Sequence, residues 1–264
     1  KKIKKTKLIA IVEVNKKKRN FIKKNFPKII IFKSLSKLLN SKNKIDIFSI
    51  CTPTKTHFVI LKKLIKQNPK IIICEKPLCA NVLEAKKILK ITKKSKSLIV
   101  VNYQRRFEEN FIKVKKIIQK NLIGTINTLN GYYTSKIYNI GTHLIDCIRM
   151  IVNSEAISTS SFFVSNKNTA DPSISGVINF KNKTICTIQS IGNKYNYVFE
   201  IDVIGSKGRV RITDNGKKIK IYKFFKSNSF TNYKELTKID NLSIFKNYKK
   251  KINDPMKELF EEAI

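Results

Sequence analysis

The chain has 264 residues, enough for one large domain or two moderate ones, and its 42% hydrophobic content with 16 Phe and 9 Tyr excludes a disordered polymer. No apolar run approaches the roughly 18 residues of a spanning helix, so no membrane partner is expected. The net charge of +37 raises nucleic-acid binding, but only six of the 55 basic residues are Arg and the lysines spread over nearly the whole chain, so no nucleic-acid partner is expected either.

Lys7 to Val14 (KLIAIVEV) predicts a strand, and Asn15 opens the helix that follows. Lys28 to Phe32 (KIIIF) is the next strand, with a short helix over SLSKLLN. Ile45 to Cys51 (IDIFSIC) is a third strand, and its helix carries Ile60, Leu61, Leu64 and Ile65 on one stripe. Then come KIIIC, a helix capped at Asn81 with Glu84 three residues on, and the strand SLIVVNY from Ser97 to Tyr103. Apolar strands separated by amphipathic helices predict a doubly wound α/β domain whose parallel sheet is covered on both faces. It is expected to span residues 1–104.

Residues 105–264 read as a second, α+β domain. A helix from Glu108 to Gln119 leads to a strand near Thr125 to Tyr133 and a helix from Thr142 to Val152. Long β segments follow, with turns at FKNKT and at TDNGK, the second carrying Asn215-Gly216. They predict a large, mostly antiparallel sheet with helices on one face. The alternation of Ile174, Gly176, Ile178 and Phe180, and of Phe199, Ile201 and Val203, suggests an apolar face that the helices do not wholly cover.

All eight glycines lie at or after Gly124. A nucleotide-binding parallel sheet needs glycines after its first strand, where backbone must approach a pyrophosphate at a helix N-terminus. The Rossmann-like sheet is therefore expected to lack its first strand and glycine loop. Either those elements lie upstream of Lys1, or the chain holds no dinucleotide in the usual way. Without that strand, KLIAIVE and IDIFSIC either leave a gap or pair with each other. Glu13, closing the first strand present, stands where a carboxylate grips an adenosine ribose. Five cysteines without C-x-x-C spacing suit reduced thiols in a cytoplasmic protein, and no metal site is expected.

Three stretches carry the chemistry: ICTPTKTH (Ile50 to His57), CEKPL (Cys74 to Leu78) and NIGTHLID (Asn139 to Asp146). With VNYQRRF (Val101 to Phe107) and YVFEIDVIGSKGRVRI (Tyr197 to Ile212), they resemble in sequence and order the Gfo/Idh/MocA oxidoreductases, over about Lys7 to Ile221. The resemblance implies an oxidoreductase that moves a hydride between a nicotinamide cofactor and a hydroxyl or keto carbon of a sugar, cyclitol or nucleotide-linked sugar. It places Lys76 at the reacting oxygen, where an ammonium stabilises a developing alkoxide. Glu75 then holds Lys76 in place. Thr52 and Pro53 line the nicotinamide ribose, and His57 is a structural residue at the edge of the cofactor site. His143 accepts the proton of the substrate hydroxyl.

The family pattern Asp-x-Gly-x-His is Asn139-Ile-Gly141-Thr-His143 here, and an Asn orients an imidazole without stabilising its charge. Asp146, at i+3 from His143, is a candidate substitute. Arg105 and Arg106 are candidates for a substrate anion or for a structural role at the domain crossing. Glu13 favours NAD, whereas Lys16 to Lys18 leave NADP open. The resemblance also implies a homodimer or homotetramer paired through the second-domain sheet. The competing expectation is a degenerate relative, acting as an interaction or sensor protein.

Overall fold

The computed structural model describes residues 6–164, 169, 171–192, 195–239 and 254–264. In the first unit five short parallel strands alternate with helices: β1 (Ala10–Val12), α1 (Lys16–Asn25), β2 (Ile30–Phe32), α2 (Leu35–Leu39), β3 (Ile47–Ile50), α3 (Thr54–Ile65), β4 (Ile71–Cys74), α4 (Val82–Thr92) and β5 (Leu98–Val101). The caps form where the sequence places them. Asn15 Oδ1 accepts from Lys18 N at 3.1 Å and Asn81 Oδ1 from Glu84 N at 2.9 Å. Glu84 reaches back to Ala80 N at 2.9 Å, so two of the orphan donors before α4 are satisfied locally.

The strands form two sheets rather than one. β1 pairs with β2, and β3, β4 and β5 pair in that order. Among the described residues β1 and β3 each have a single neighbour, so of the two expected outcomes the gap is the one observed. The expected burial of every strand on both faces holds only for β4, whose four residues are all buried. α1 buries none of its residues, and Leu8, Val14, Phe21 and Ile30 remain exposed around β1 and β2. The physical reason is that a two-stranded sheet lacks the area to bury a helix face. The core of this unit sits instead between β3, β4 and their helices, on Ile50, Leu61, Leu64, Ile72, Cys74 and Ile88.

The second unit begins at Tyr103. A 3-10 turn at Gln104–Phe107 leads into α5 (Glu109–Gln119), β6 (Ile126–Tyr133) and α6 (Thr142–Val152). Seven strands follow: β7 (Ala156–Phe163), β8 (Ile174–Phe180), β9 (Ile185–Ser190), β10 (Phe199–Gly205), β11 (Gly208–Thr213), β12 (Lys218–Lys226) and β13 (Lys234–Ile239). The eight strands order as β13-β12-β11-β10-β6-β9-β8-β7, antiparallel throughout except for the β6–β9 pair. Asn215 and Gly216 adopt left-handed backbone at the β11–β12 turn, which is the conformation that asparagine and glycine tolerate.

The alternating apolar positions Ile178, Phe180, Phe199, Ile201 and Val203 are all buried in one core with Phe111 and Val114 of α5 and Leu144 and Ile148 of α6, whereas Ile174 is only partly buried and its same-face partner Phe163 on β7 is exposed, so the helices cover most of that face and not all of it. A strand's side chains alternate, and the opposite face mixes polar residues with apolar ones such as the exposed Ile185 and Phe162. Asn130, Thr187, Asp202 and Arg211 lie in one row across β9, β6, β10 and β11. Asp202 is 6% exposed because Arg209 and Arg211 both pair with it. The last helix, α7 (Pro255–Ala263), is grouped from Met256 onward with the first unit, a return that no local pattern announces.

Candidate active site

β3, β4 and β5 run parallel, so their carboxyl ends gather three turns at one rim of the first unit. Glu75 N donates to Ile50 O at 2.9 Å, and Asn102 N donates to Cys74 O at 2.8 Å, carrying the ladder one residue past each strand end. Glu75 and Lys76 are thereby set beyond the buried run Ile71–Cys74, with Glu75 held at its side chain as well. Asn102 Nδ2 donates to Glu75 Oε1 at 2.5 Å and also lies 3.0 Å from Met256 Sδ. Asn102 is 4% exposed. The Lys76–Pro77 peptide is cis.

His57, in the first turn of α3, is 1% exposed. Its Nδ1 lies 2.9 Å from Pro77 O and its Nε2 2.7 Å from Thr52 O. Thr52 and Pro53 are exposed at the end of β3, and Thr56 Oγ1 donates to Thr52 Oγ1 at 2.7 Å. At the end of β1, Glu13 Oε1 accepts from Asn15 N at 2.8 Å, which holds the carboxylate beside the start of α1. Arg19 donates to the carbonyl oxygens of Glu13 and Val14 at 3.0 and 2.6 Å, and so closes the same turn.

The second unit presents His143 in the first turn of α6, directly after a π-helical turn at Ile137–Gly141 that carries exposed Asn139. Tyr103 meets the imidazole edge-on, with ring centroids 5.8 Å apart. Gly141 packs closely: a Cβ there would lie 2.6 Å from Ile137 Cδ1 and 3.0 Å from Tyr133 Cε2, so those side chains would have to shift. Asp146 is engaged elsewhere. Both of its oxygens accept from Arg106, at 2.6 and 2.7 Å, and this pairing raises the pKa of the guanidinium. Arg105 is equally committed. It donates to Glu108 and to Tyr197 Oη, and its guanidinium carbon lies 3.8 Å from the centre of the Phe199 ring. Burial raises the Glu108 pKa against the opposing pull of Arg105.

Within the first unit, then, Glu75, Lys76, Thr52, Pro53 and His57 converge, while Glu13 stands at the end of a strand in the separate two-stranded sheet. Within the second unit Asn139, His143, Arg105, Arg106 and Asp146 gather around the start of α6. Three contact residues were given no role by the sequence: Asn102 and Tyr103, which lie in VNYQRRF, and Met256. Asn102 leaves a faint local signal, a polar residue directly after an apolar run. Met256 leaves none, because its contact spans 154 residues. Among the described residues no group of three or more His, Cys, Asp or Glu is placed to hold a metal ion.

A parallel Rossmann-type unit followed by a helix-backed mixed sheet, with Glu-Lys-Pro at a strand end and Gly-Thr-His at a helix start, defines a two-unit oxidoreductase class. The model of the oxidoreductase family with an NAD-binding Rossmann fold matches residues 1–103, and that of the GFO/IDH/MocA C-terminal domain matches residues 133–211. The chain belongs to the Gfo/Idh/MocA oxidoreductase family.

It is 25% identical over 229 residues to the myo-inositol 2-dehydrogenase of Thermotoga maritima, covering 77% of this chain and 66% of that protein. It is 34% identical over 82 residues to the inositol 2-dehydrogenase of Rhizobium meliloti, covering 31% of this chain and 24% of that one. The chain thus spans less than two thirds of each of these relatives. Among solved structures, a levoglucosan dehydrogenase in complex with NADH and L-sorbose has the same fold, with a TM-score of 0.78 at 16% identity over 97% of this chain and 78% of that one.

Proposed function

We propose that the protein is an NAD-dependent dehydrogenase acting on a secondary hydroxyl of a sugar or cyclitol. The observation that carries the reading is the Glu75–Lys76 turn, an acid and a base held at the rim of a parallel sheet by Asn102 and His57. The inositol dehydrogenases among the relatives, and the levoglucosan dehydrogenase that shares the fold, support the substrate class.

The residues at the strand ends fit one side of a dinucleotide. Glu13 is oriented by Asn15 toward the role of ribose ligand, and its charge opposes a 2′-phosphate. Thr52 and Pro53 are exposed where a nicotinamide ribose would lie. The described residues offer no pyrophosphate cradle of the usual kind, since no glycine precedes Gly124. A nicotinamide held at these strand ends would supply the hydride acceptor for the carbinol carbon. Lys76 donates a hydrogen bond to the hydroxyl oxygen and stabilises the negative charge that develops on it. His143 takes the hydroxyl proton. Asn139 replaces the family's Asp and Asp146 is neutralised by Arg106, while the Tyr103 ring packs edge-on against His143. Arg105 and Arg106 are structural in this reading, since each guanidinium is held by a carboxylate of its own unit.

Replacing Lys76 by Met is expected to lower turnover of myo-inositol with NAD by about 10²–10³-fold, because the lost interaction belongs to the transition state. His143→Ala is expected to lose about 10²–10⁴-fold and to flatten the acid limb of the pH–rate profile, since a protonated imidazole takes no proton. Steady-state kinetics across pH decide it, and undiminished turnover in both variants would sink the assignment.

A further inference from the structure

Lys76 sits on a turn with no helix or ladder of its own, yet the residues on both sides of it are tied down. On one side Glu75 is bound by Asn102. On the other, the carbonyl of Pro77 faces the buried ring of His57, whose second nitrogen faces the carbonyl of Thr52. We propose that His57 is a positioning residue that ties the Lys76–Pro77 turn at the end of β4 to the Thr52–Pro53 turn at the end of β3.

Both partners of the ring are backbone carbonyl oxygens, which only accept. A neutral imidazole donates from one nitrogen and so completes one of the two links. A second proton completes the other. At 1% exposure, water does not substitute for either partner. The spacing matters because Thr52 and Pro77 lie 25 positions apart in the chain and are joined here through one side chain. A Lys whose ammonium must meet a developing charge tolerates little displacement, and a misplacement of about 1 Å costs about 10²-fold in rate. His57 thus acts through Lys76 rather than on the substrate. The inference rests on the assignment of Lys76 above, but the two fail in different measurements.

The chain has two histidines, so proton NMR of the full chain in water assigns the ring N–H signals with one variant, His143→Ala. The expected result is an exchange-protected ring N–H at each His57 nitrogen, one per turn, and a single protected signal, which links one turn only, overturns the clamp. Absence of any protected His57 signal overturns it equally. The second measurement reads Lys76 itself, as the rate at which acetic anhydride labels its amine relative to the exposed Lys70, by peptide mass spectrometry. His57→Phe and His57→Gln are expected to change that ratio several-fold, with Phe the more severe because Gln keeps one donor. An unchanged ratio in a folded variant overturns the positioning role. Should both variants fail to fold, the wild-type ring signals still decide the clamp. Undiminished turnover in Lys76→Met, with the ring signals present, would instead remove the catalytic reading and leave the link between the two turns.

Discussion

The five cysteines divide by burial in a way that shows how one residue type takes different chemistry from its surroundings. Cys74 and Cys186 are pushed up to about 12 by burial, and Cys147 is raised well above the ordinary thiol range for the same reason. Burial disfavours the charged form, and only the thiolate reacts. Cys51 is exposed next to Ser49, while half-buried Cys79 is raised by burial and by the Glu84 charge. Iodoacetamide at pH 8 is therefore expected to modify Cys51 first and Cys79 more slowly. Cys74, Cys147 and Cys186 should react only on unfolding, and peptide mass spectrometry of a time course checks the order. Early labelling of Cys147 would contradict the packing of α6.

At the level of the element, α6 shows how sequence and packing divide the work. Its buried face runs through Leu144, Cys147, Ile148 and Ile151, spaced three and four apart, and lies on β6. The helix approaches closely because β6 offers Gly131, where a Cβ would meet Leu144 at 3.0 Å. Gly141 does the same at the helix start, against Tyr133 and Ile137. Gly141→Ala is expected to cost about 1–3 kcal/mol by overpacking and to displace the turn that presents Asn139 and His143. Thermal unfolding followed by circular dichroism measures the first effect, and unaltered melting would show that the Tyr133 ring yields. Asn139 and His143 are thus placed by a glycine that carries no chemistry.

At the scale of the whole molecule two expectations remain. The 264-residue chain is expected to bind NAD(H) at about millimolar Kd, or about 4 kcal/mol, because the ribose contacts proposed for Glu13, Thr52 and Pro53 would act without a glycine-loop pyrophosphate cradle. Calorimetry that returned micromolar affinity would refute this and point to another phosphate site. The sheet of the second unit, with one face mostly buried under α5 and α6, leaves Tyr132, Gln189, Arg209 and Arg211 on the other. We expect this face to pair subunits, through its charged and hydrogen-bonding groups together with exposed apolar side chains such as Ile185 and Phe162. A strict monomer in sedimentation velocity at micromolar concentration would count against it.

Much was decided by local pattern. The 2.0 and 3.6 periodicities, the caps at Asn15 and Asn81 and the Asn215-Gly216 turn act over a few residues, and the elements they announce formed, though some are shorter, such as β1 over Ala10–Val12 within the expected Lys7–Val14. The strand-end motif CEKPL was legible at a rim because a charged residue directly follows an apolar run, while the helix-start motif NIGTHLID was legible through its resemblance to the family pattern. Which partner each charge takes was not legible. Asp146 is within one turn of His143 in sequence, yet both its oxygens go to Arg106, forty residues away. Arg105 stacks on Phe199, and Asn102 joins Glu75 to Met256 of the last helix. The division of the parallel strands into two sheets, and the choice of which sheet face the helices cover, belong to the same class. Hydrogen bonds and packed faces between distant segments depend on distances that folding alone creates, and no local spacing encodes them.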